Sequence, residues 1–130
     1  MKIFGIGTDI VNIKRIDNIL KKNGKSFKNK FFSKNEIKYC DKKNNPSSFY
    51  AKRFAAKEAV TKAMGTGIGK GISLKNIEVI NDRNGKPDIL LKGMVKTILK
   101  RRIKKKKYDI YLSLSDDKPW AQATVVISYN

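Results

Sequence analysis

There is no histidine in this 130-residue chain, and there is one cysteine, one tryptophan and three prolines. Without histidine the chain has no imidazole metal ligand, no imidazole general base and no serine-histidine-aspartate triad. A lone Cys40 excludes an internal disulfide and suits a reducing compartment, cytoplasmic or, had a targeting peptide been removed, plastid. No apolar run approaches the roughly 20 residues of a membrane span, and no secretory pattern opens the chain, so a soluble protein without a membrane role is expected. Acidic residues are also scarce: 11 Asp and Glu stand against 30 Lys and Arg, a formal net charge of +19. Such a field favours nucleic acid, anionic membranes, acidic proteins or phosphate-rich small molecules without choosing among them. Most of the cations are lysines and asparagine is frequent, a bias that an AT-rich genome also produces, so the charge carries little weight by itself. Chemistry has to run on Asp, Glu, Lys, Tyr, backbone amides and a hard metal ion.

What is present centres on residues 53–69, Arg-Phe-Ala-Ala-Lys-Glu-Ala-Val-Thr-Lys-Ala-Met-Gly-Thr-Gly-Ile-Gly. Residues 49–64 hold no Pro or Gly and are rich in helix formers, and Gly65, Gly67 and Gly69 stop the run. Phe49, Ala56, Val60, Ala63 and Met64 make an apolar stripe. Glu58 and Lys62 lie opposite, one turn apart, beside small Ala51 and Ala55 that let another surface approach. Alone, that pair reads as an i,i+4 ion pair on a solvated face. The start of the chain changes its weight. Residues 3–11 predict a buried strand with Gly5, Gly7 and Asp9 on one side and Phe4, Ile6, Thr8 and Ile10 on the other. Two glycines in a strand mark close approach by a ligand or another backbone. Asp9, ending that bare strip, is either a cap for the following helix or a ligand.

The remaining pattern is that of one α+β domain over residues 1–130, a small antiparallel sheet packed with a long central helix and shorter ones. A helix over 12–22 buries Ile13, Ile16, Ile19 and Leu20, shows Arg15 outward and ends at Asn23-Gly24. Phe27, Phe31 and Phe32 seat a short turn. Ser33 and Glu36 form a capping box, and 41–48 is a polar loop. Strands over 77–80 and 88–91 flank Asn84-Gly85. Met94, Val95, Ile98 and Leu99 mark a helix running into the basic stretch 100–107. A second hairpin, 108–115 with 120–128, turns at residues 116–119.

Asp9 and Glu58 are the candidates for a hard divalent cation such as Mg²⁺, which is held by one or two carboxylates with phosphate and water in the other positions. Lys62 would meet a phosphate, and the amides after Gly65 would approach the same anion, so the site suits a pyrophosphate substrate.

These residues carry a resemblance. Gly5-Ile6-Gly7-Thr8-Asp9-Ile10-Val11 with Arg15-Ile16, then Arg53-Phe54-Ala55-Ala56-Lys57-Glu58-Ala59 with Lys62-Ala63 and Gly65-Thr66-Gly67-Ile68-Gly69, then Asn81-Asp82 with Gly85-Lys86-Pro87, resemble the holo-[acyl-carrier-protein] synthases, in order and spacing across nearly the whole chain. The resemblance implies transfer of 4′-phosphopantetheine from coenzyme A to a serine of apo acyl carrier protein, in fatty acid biosynthesis, with adenosine 3′,5′-bisphosphate released. It implies Mg²⁺ on Asp9 and Glu58, Lys62 near the transferred phosphate, and Arg15 on the helix that meets the acidic carrier. Arg53, Gly65 and the Asn84, Gly85, Lys86, Pro87 turn would serve coenzyme A, and a homotrimer would hold active sites between subunits. One departure stands out: where the family usually has Ser-hydrophobic-Ser/Thr-His, this chain has Ser113-Leu114-Ser115-Asp116. Asp116 would repel a phosphate unless a lysine such as Lys118, or a metal, compensates. Two alternatives remain: a basic nucleic-acid-binding module without enzymatic activity, which lacks a recognised binding motif here, and a pantetheinyl transferase for another carrier, whose relatives are usually twice as long.

Overall fold

The structure, a computed structural model, describes residues 1–69 and 71–130. The chain runs β1 (Lys2–Asn12), α1 (Ile13–Phe31), α2 (Lys34–Asp41), α3 (Pro46–Met64), a 3-10 turn (Leu74–Asn76), β2 (Ile77–Asn81), β3 (Pro87–Leu91), α4 (Gly93–Arg102), β4 (Tyr108–Asp117) and β5 (Trp120–Tyr129). The strands form two antiparallel sheets, one ordered β1-β5-β4 and a separate β2-β3 hairpin. The α+β expectation holds. Among the described residues no helix is long and apolar enough to cross a membrane.

Helix α3 is buried on nearly every side rather than along one stripe. Ala51, Ala55, Ala56, Ala59 and Val60 are fully covered, and so is Lys57. A helix with covered flanks all round is a core element, and the alanines are what let its neighbours close in. The closest approach is to β1. A Cβ added at Gly5 would collide with the Ala63 carbonyl oxygen, and one at Gly7 with that of Ala59. The glycine strip therefore answers to another backbone, with α3 lying on the strand.

Three expectations need correction. β1 is covered on one face only: Val11 is buried, but Ile3, Ile6 and Ile10 are 53%, 63% and 60% exposed. The alternation was sound, while the second layer that would bury the other face is missing from a single chain. Helix α1 does not stop at Asn23-Gly24. It kinks at Asn23 (φ −139°, ψ 41°) and resumes to Phe31, because Phe27 is buried and packs edge-on to Phe31 and Phe32. Pro46 sits not in a loop but in the first turn of α3, where its missing N–H is no loss. The capping box of Ser33 and Glu36 forms as expected.

Candidate active site

Asp9 does not cap α1; Asn12 does, accepting the Lys14 amide at 2.9 Å. The Asp9 side chain instead lies on the β1 face that carries α3, in line with Gly5 and Gly7. There Lys62 Nζ, one turn from Glu58, donates to Asp9 Oδ1 at 3.0 Å and to the Thr8 carbonyl at 2.9 Å. Glu58 joins the same electrostatic group. Burial raises its pKa above the ordinary 4.5, the Asp9 charge adds to the rise, and Lys62 and Arg15 pull it back. One bond and one shared field thus link four residues from three elements: Lys62 of α3 bonds Asp9 of β1, and the charges of Asp9, Lys62 and Arg15 of α1 all reach Glu58.

This group fits a hard cation. Two carboxylates close enough to oppose each other's ionisation call for positive charge, and the Lys62 ammonium already supplies some of it to Asp9. Among the described residues no cluster of three or more His, Cys, Asp and Glu side chains forms, so a metal here would have two protein carboxylates and take its remaining ligands from phosphate and water.

The glycines after α3 do not meet the expectation that their amides face an anion. Gly65 ends the helix at φ +77°, and its N–H turns back to the Lys62 carbonyl at 3.0 Å; the Thr66 and Gly67 amides close on the Thr61 carbonyl at 3.2 and 3.3 Å. Those donors complete the C-terminus of the helix.

A second group forms on another side of α3. Arg53 is only 2% exposed; its Nη2 donates to Asn81 Oδ1 at 2.8 Å, and its guanidinium lies 4.2 Å from the Tyr39 ring centroid. A cavity of about 200 Å³ beside it is bounded by Tyr39, Phe49, Lys52 and Arg53 on one side and by Gly85 and Pro87 of the β2-β3 turn on the other. The turn owes its shape to Asp82, whose carboxylate accepts the Asn84 amide at 2.8 Å and the Lys86 amide at 2.9 Å, with Gly85 at φ +82°. Asp116 points to the same region, accepting from Ser48 Oγ at 3.1 Å and Lys52 Nζ at 3.5 Å. The lysine that compensates it is Lys52, not Lys118. Arg53 and Glu58 are five residues apart, about 140° around the helix, and the cavity is lined by none of Asp9, Glu58 or Lys62.

A buried network of Lys57, Glu36 and Glu78 escaped the sequence reading. Lys57 Nζ donates to Glu36 Oε1 at 2.7 Å and to the Leu74 and Ile77 carbonyls, while Glu36 also accepts the Ser33 and Val79 amides. Glu78 accepts from Ser33 and Lys92 beside them. Only the capping box hinted at this, since Lys57 and Glu36 are 21 positions apart.

Comparison with known proteins then decides the family. The profile of the 4′-phosphopantetheinyl transferase superfamily matches residues 5–124. The chain belongs to that superfamily. It is 45% identical over 127 residues to the holo-[acyl-carrier-protein] synthase of Pelagibacter ubique, covering 98% of both chains. Among solved structures it superposes on the holo-[acyl-carrier-protein] synthase of Neisseria meningitidis with a TM-score of 0.86 at 37% identity, over 97% of this chain and 98% of that one. It matches the Bacillus anthracis synthase, solved in complex with CoA (3′,5′-ADP), with a TM-score of 0.78 at 36% identity, over 98% and 97%. The resemblance read from the motifs is therefore shown, and the protein is an enzyme of the phosphopantetheinyl transferase class rather than a basic binding module.

Proposed function

We propose that this phosphopantetheinyl transferase moves 4′-phosphopantetheine from coenzyme A to a serine of an acidic apo acyl carrier protein, leaving adenosine 3′,5′-bisphosphate, as a step in fatty acid biosynthesis. The observation that carries the site is the meeting of Asp9 with Glu58 and Lys62, residues some fifty positions apart in the chain. Asp9 and Glu58 would hold Mg²⁺, which when bound neutralises charge on a pyrophosphate. Lys62, 52% exposed at its side chain, would exchange its bonds to Asp9 and the Thr8 carbonyl for the departing phosphate. With no histidine in the chain, a carboxylate has to take the serine proton, directly or through water. Glu58, half-buried on α3 one turn from Lys62, is assigned that role.

The nucleotide end of coenzyme A is assigned to the cavity lined by Arg53, Gly85 and Pro87, where Arg53 Nε is buried without a partner, with Asn84 and Lys86 contributed by the same turn. Gly65 would shape the chain beside the coenzyme. Arg15 supplies positive charge on α1 toward the carrier. The homotrimer is supported by the open face of the three-stranded sheet, where Ile6, Ile10, Tyr111 and Trp120 are 47–63% exposed and call for a cover. The separation of the two groups on one chain supports active sites built between subunits. The coincidence in length with the Pelagibacter ubique relative favours the short acyl-carrier type over transferases for peptide synthetases.

Mass spectrometry of apo carrier incubated with coenzyme A and Mg²⁺ tests this reading. One added phosphopantetheine is expected with the wild-type chain, and none with Asp9→Ala or Glu58→Ala of unchanged circular dichroism; modification by either variant at a wild-type rate refutes the site.

A further inference from the structure

Lys52 and Arg53 line the cavity, Lys43 packs on the Tyr39 and Phe49 rings that also line it, and Lys52 already holds an anion. Lys43 Nζ lies 4.5 Å from the Tyr39 ring centroid and 5.1 Å from that of Phe49, and Lys52 Nζ lies 4.3 Å from Phe49. With Arg53 over Tyr39, three positive groups crowd two aromatic faces, an arrangement that stabilises each cation but leaves the three repelling one another. The carboxylate that reaches this group is Asp116. It stands two residues beyond Leu114 on β4, on the same face, and Leu114 lines the cavity. Ser48 Oγ holds one of its oxygens at 3.1 Å and Lys52 Nζ approaches the other at 3.5 Å, a length at the outer limit of a hydrogen bond. The Lys52 and Asp116 side chains are 17% and 36% exposed, so water reaches the pair and little holds it together. Arg53 Nε, buried and unpaired, leaves a donor in the same wall unsatisfied.

We propose that Asp116 is a specificity-determining residue, the counter-ion that occupies Lys52 in the free protein and that a phosphomonoester, the 3′-phosphate of coenzyme A, replaces on binding. This rests on placing the nucleotide end of coenzyme A in the Arg53 cavity. The bound 3′-phosphate takes Lys52 as its partner and faces the carboxylate it has displaced. Asp116 thereby subtracts from what the 3′-phosphate contributes to affinity, and it weakens the hold on adenosine 3′,5′-bisphosphate after transfer, which favours product release. Coenzyme A and dephospho-coenzyme A, differing only in that phosphate, are the discriminating ligands.

Calorimetric titration of the full chain with each ligand, without carrier, tests this. Asp116→Asn is expected to bind coenzyme A about tenfold more tightly and Lys52→Met about tenfold less tightly, with dephospho-coenzyme A within about twofold for both. In the Lys52→Met background, Asp116→Asn gains less than it does alone, because the partner it frees is absent; a residue that only braced β4 would show no such coupling. Weaker coenzyme A binding by folded Asp116→Asn, or equal changes for the two ligands, overturns the counter-ion role and leaves the coenzyme A reading standing. A wild-type chain that binds neither ligand overturns both.

Discussion

Lys57 places its ammonium in the interior with every proton donated, to Glu36 and to two carbonyls, and both partners of the ion pair have side chains with no exposed surface. Burial lowers the Lys57 pKa, and Glu36 offsets part of that. Removing one member strands the other charge, so Lys57→Met should destabilise the fold by about 3–5 kcal/mol, a Tm drop of roughly 10–20 °C. Adding Glu36→Gln should recover part of the loss, and calorimetry of the three variants reads both effects. Glu78 works in the opposite sense. Burial pushes its carboxyl up, but the hydrogen bond from Ser33 and the hydrogen bond and charge of Lys92 outweigh it, leaving the pKa below the usual 4.5. A depressed carboxylate adds stability that is present above the unfolded value and disappears as pH falls through the folded one. Urea midpoints should therefore drop below about pH 4.5, and less steeply in Glu78→Gln. Cys40, buried and pushed up to about 12, should resist iodoacetamide at pH 8 until the chain is unfolded.

At the level of elements, the contact between β1 and α3 decides how Asp9 meets Glu58. Gly7→Ala places a methyl against the Ala59 carbonyl and Gly5→Ala one against that of Ala63, and neither backbone can yield without moving the helix. Each should cost more than about 3 kcal/mol or abolish folding, whereas Gly24→Ala, with nothing within 4 Å, should stabilise α1 by about 0.5–1 kcal/mol. Chemical denaturation separates the two classes. The two glycines, the alanines of α3 and the capping box could be read in the sequence because each obeys a local rule: period two, small residues at helical spacing, and Ser followed by Glu at three. The kink at Asn23 could not, since a buried Phe27 outweighed a good stop signal. Nor could the Lys57 network or the Lys52 partner of Asp116, because both depend on side chains from distant elements whose meeting only the packing reveals. The direction of the Gly65 amide was lost for a related reason: a glycine stop and an anion cradle look alike in one dimension.

Over the whole molecule, a charge of +19 and an open apolar sheet face act at different ranges. If the charge draws in the proposed acidic carrier, raising salt from 0.05 to 0.5 M should lift the KM for carrier several-fold while kcat holds. The apolar face works in contact. On the proposed trimer, Ile10→Lys should shift the sedimenting species to monomer and remove turnover with it.

Glu58 and Arg53 face directions about 140° apart on α3. In the proposed trimer, one polypeptide would carry the acidic half of the reaction centre on one flank and the nucleotide half on another, and unlike halves would come together from different copies. Two dead proteins should then revive each other. Asp9→Ala mixed with Arg53→Ala, after dissociation and reassembly together, should regain a fraction of wild-type turnover set by how often an intact pair of halves meets by chance. Neither variant alone should gain anything from the same treatment.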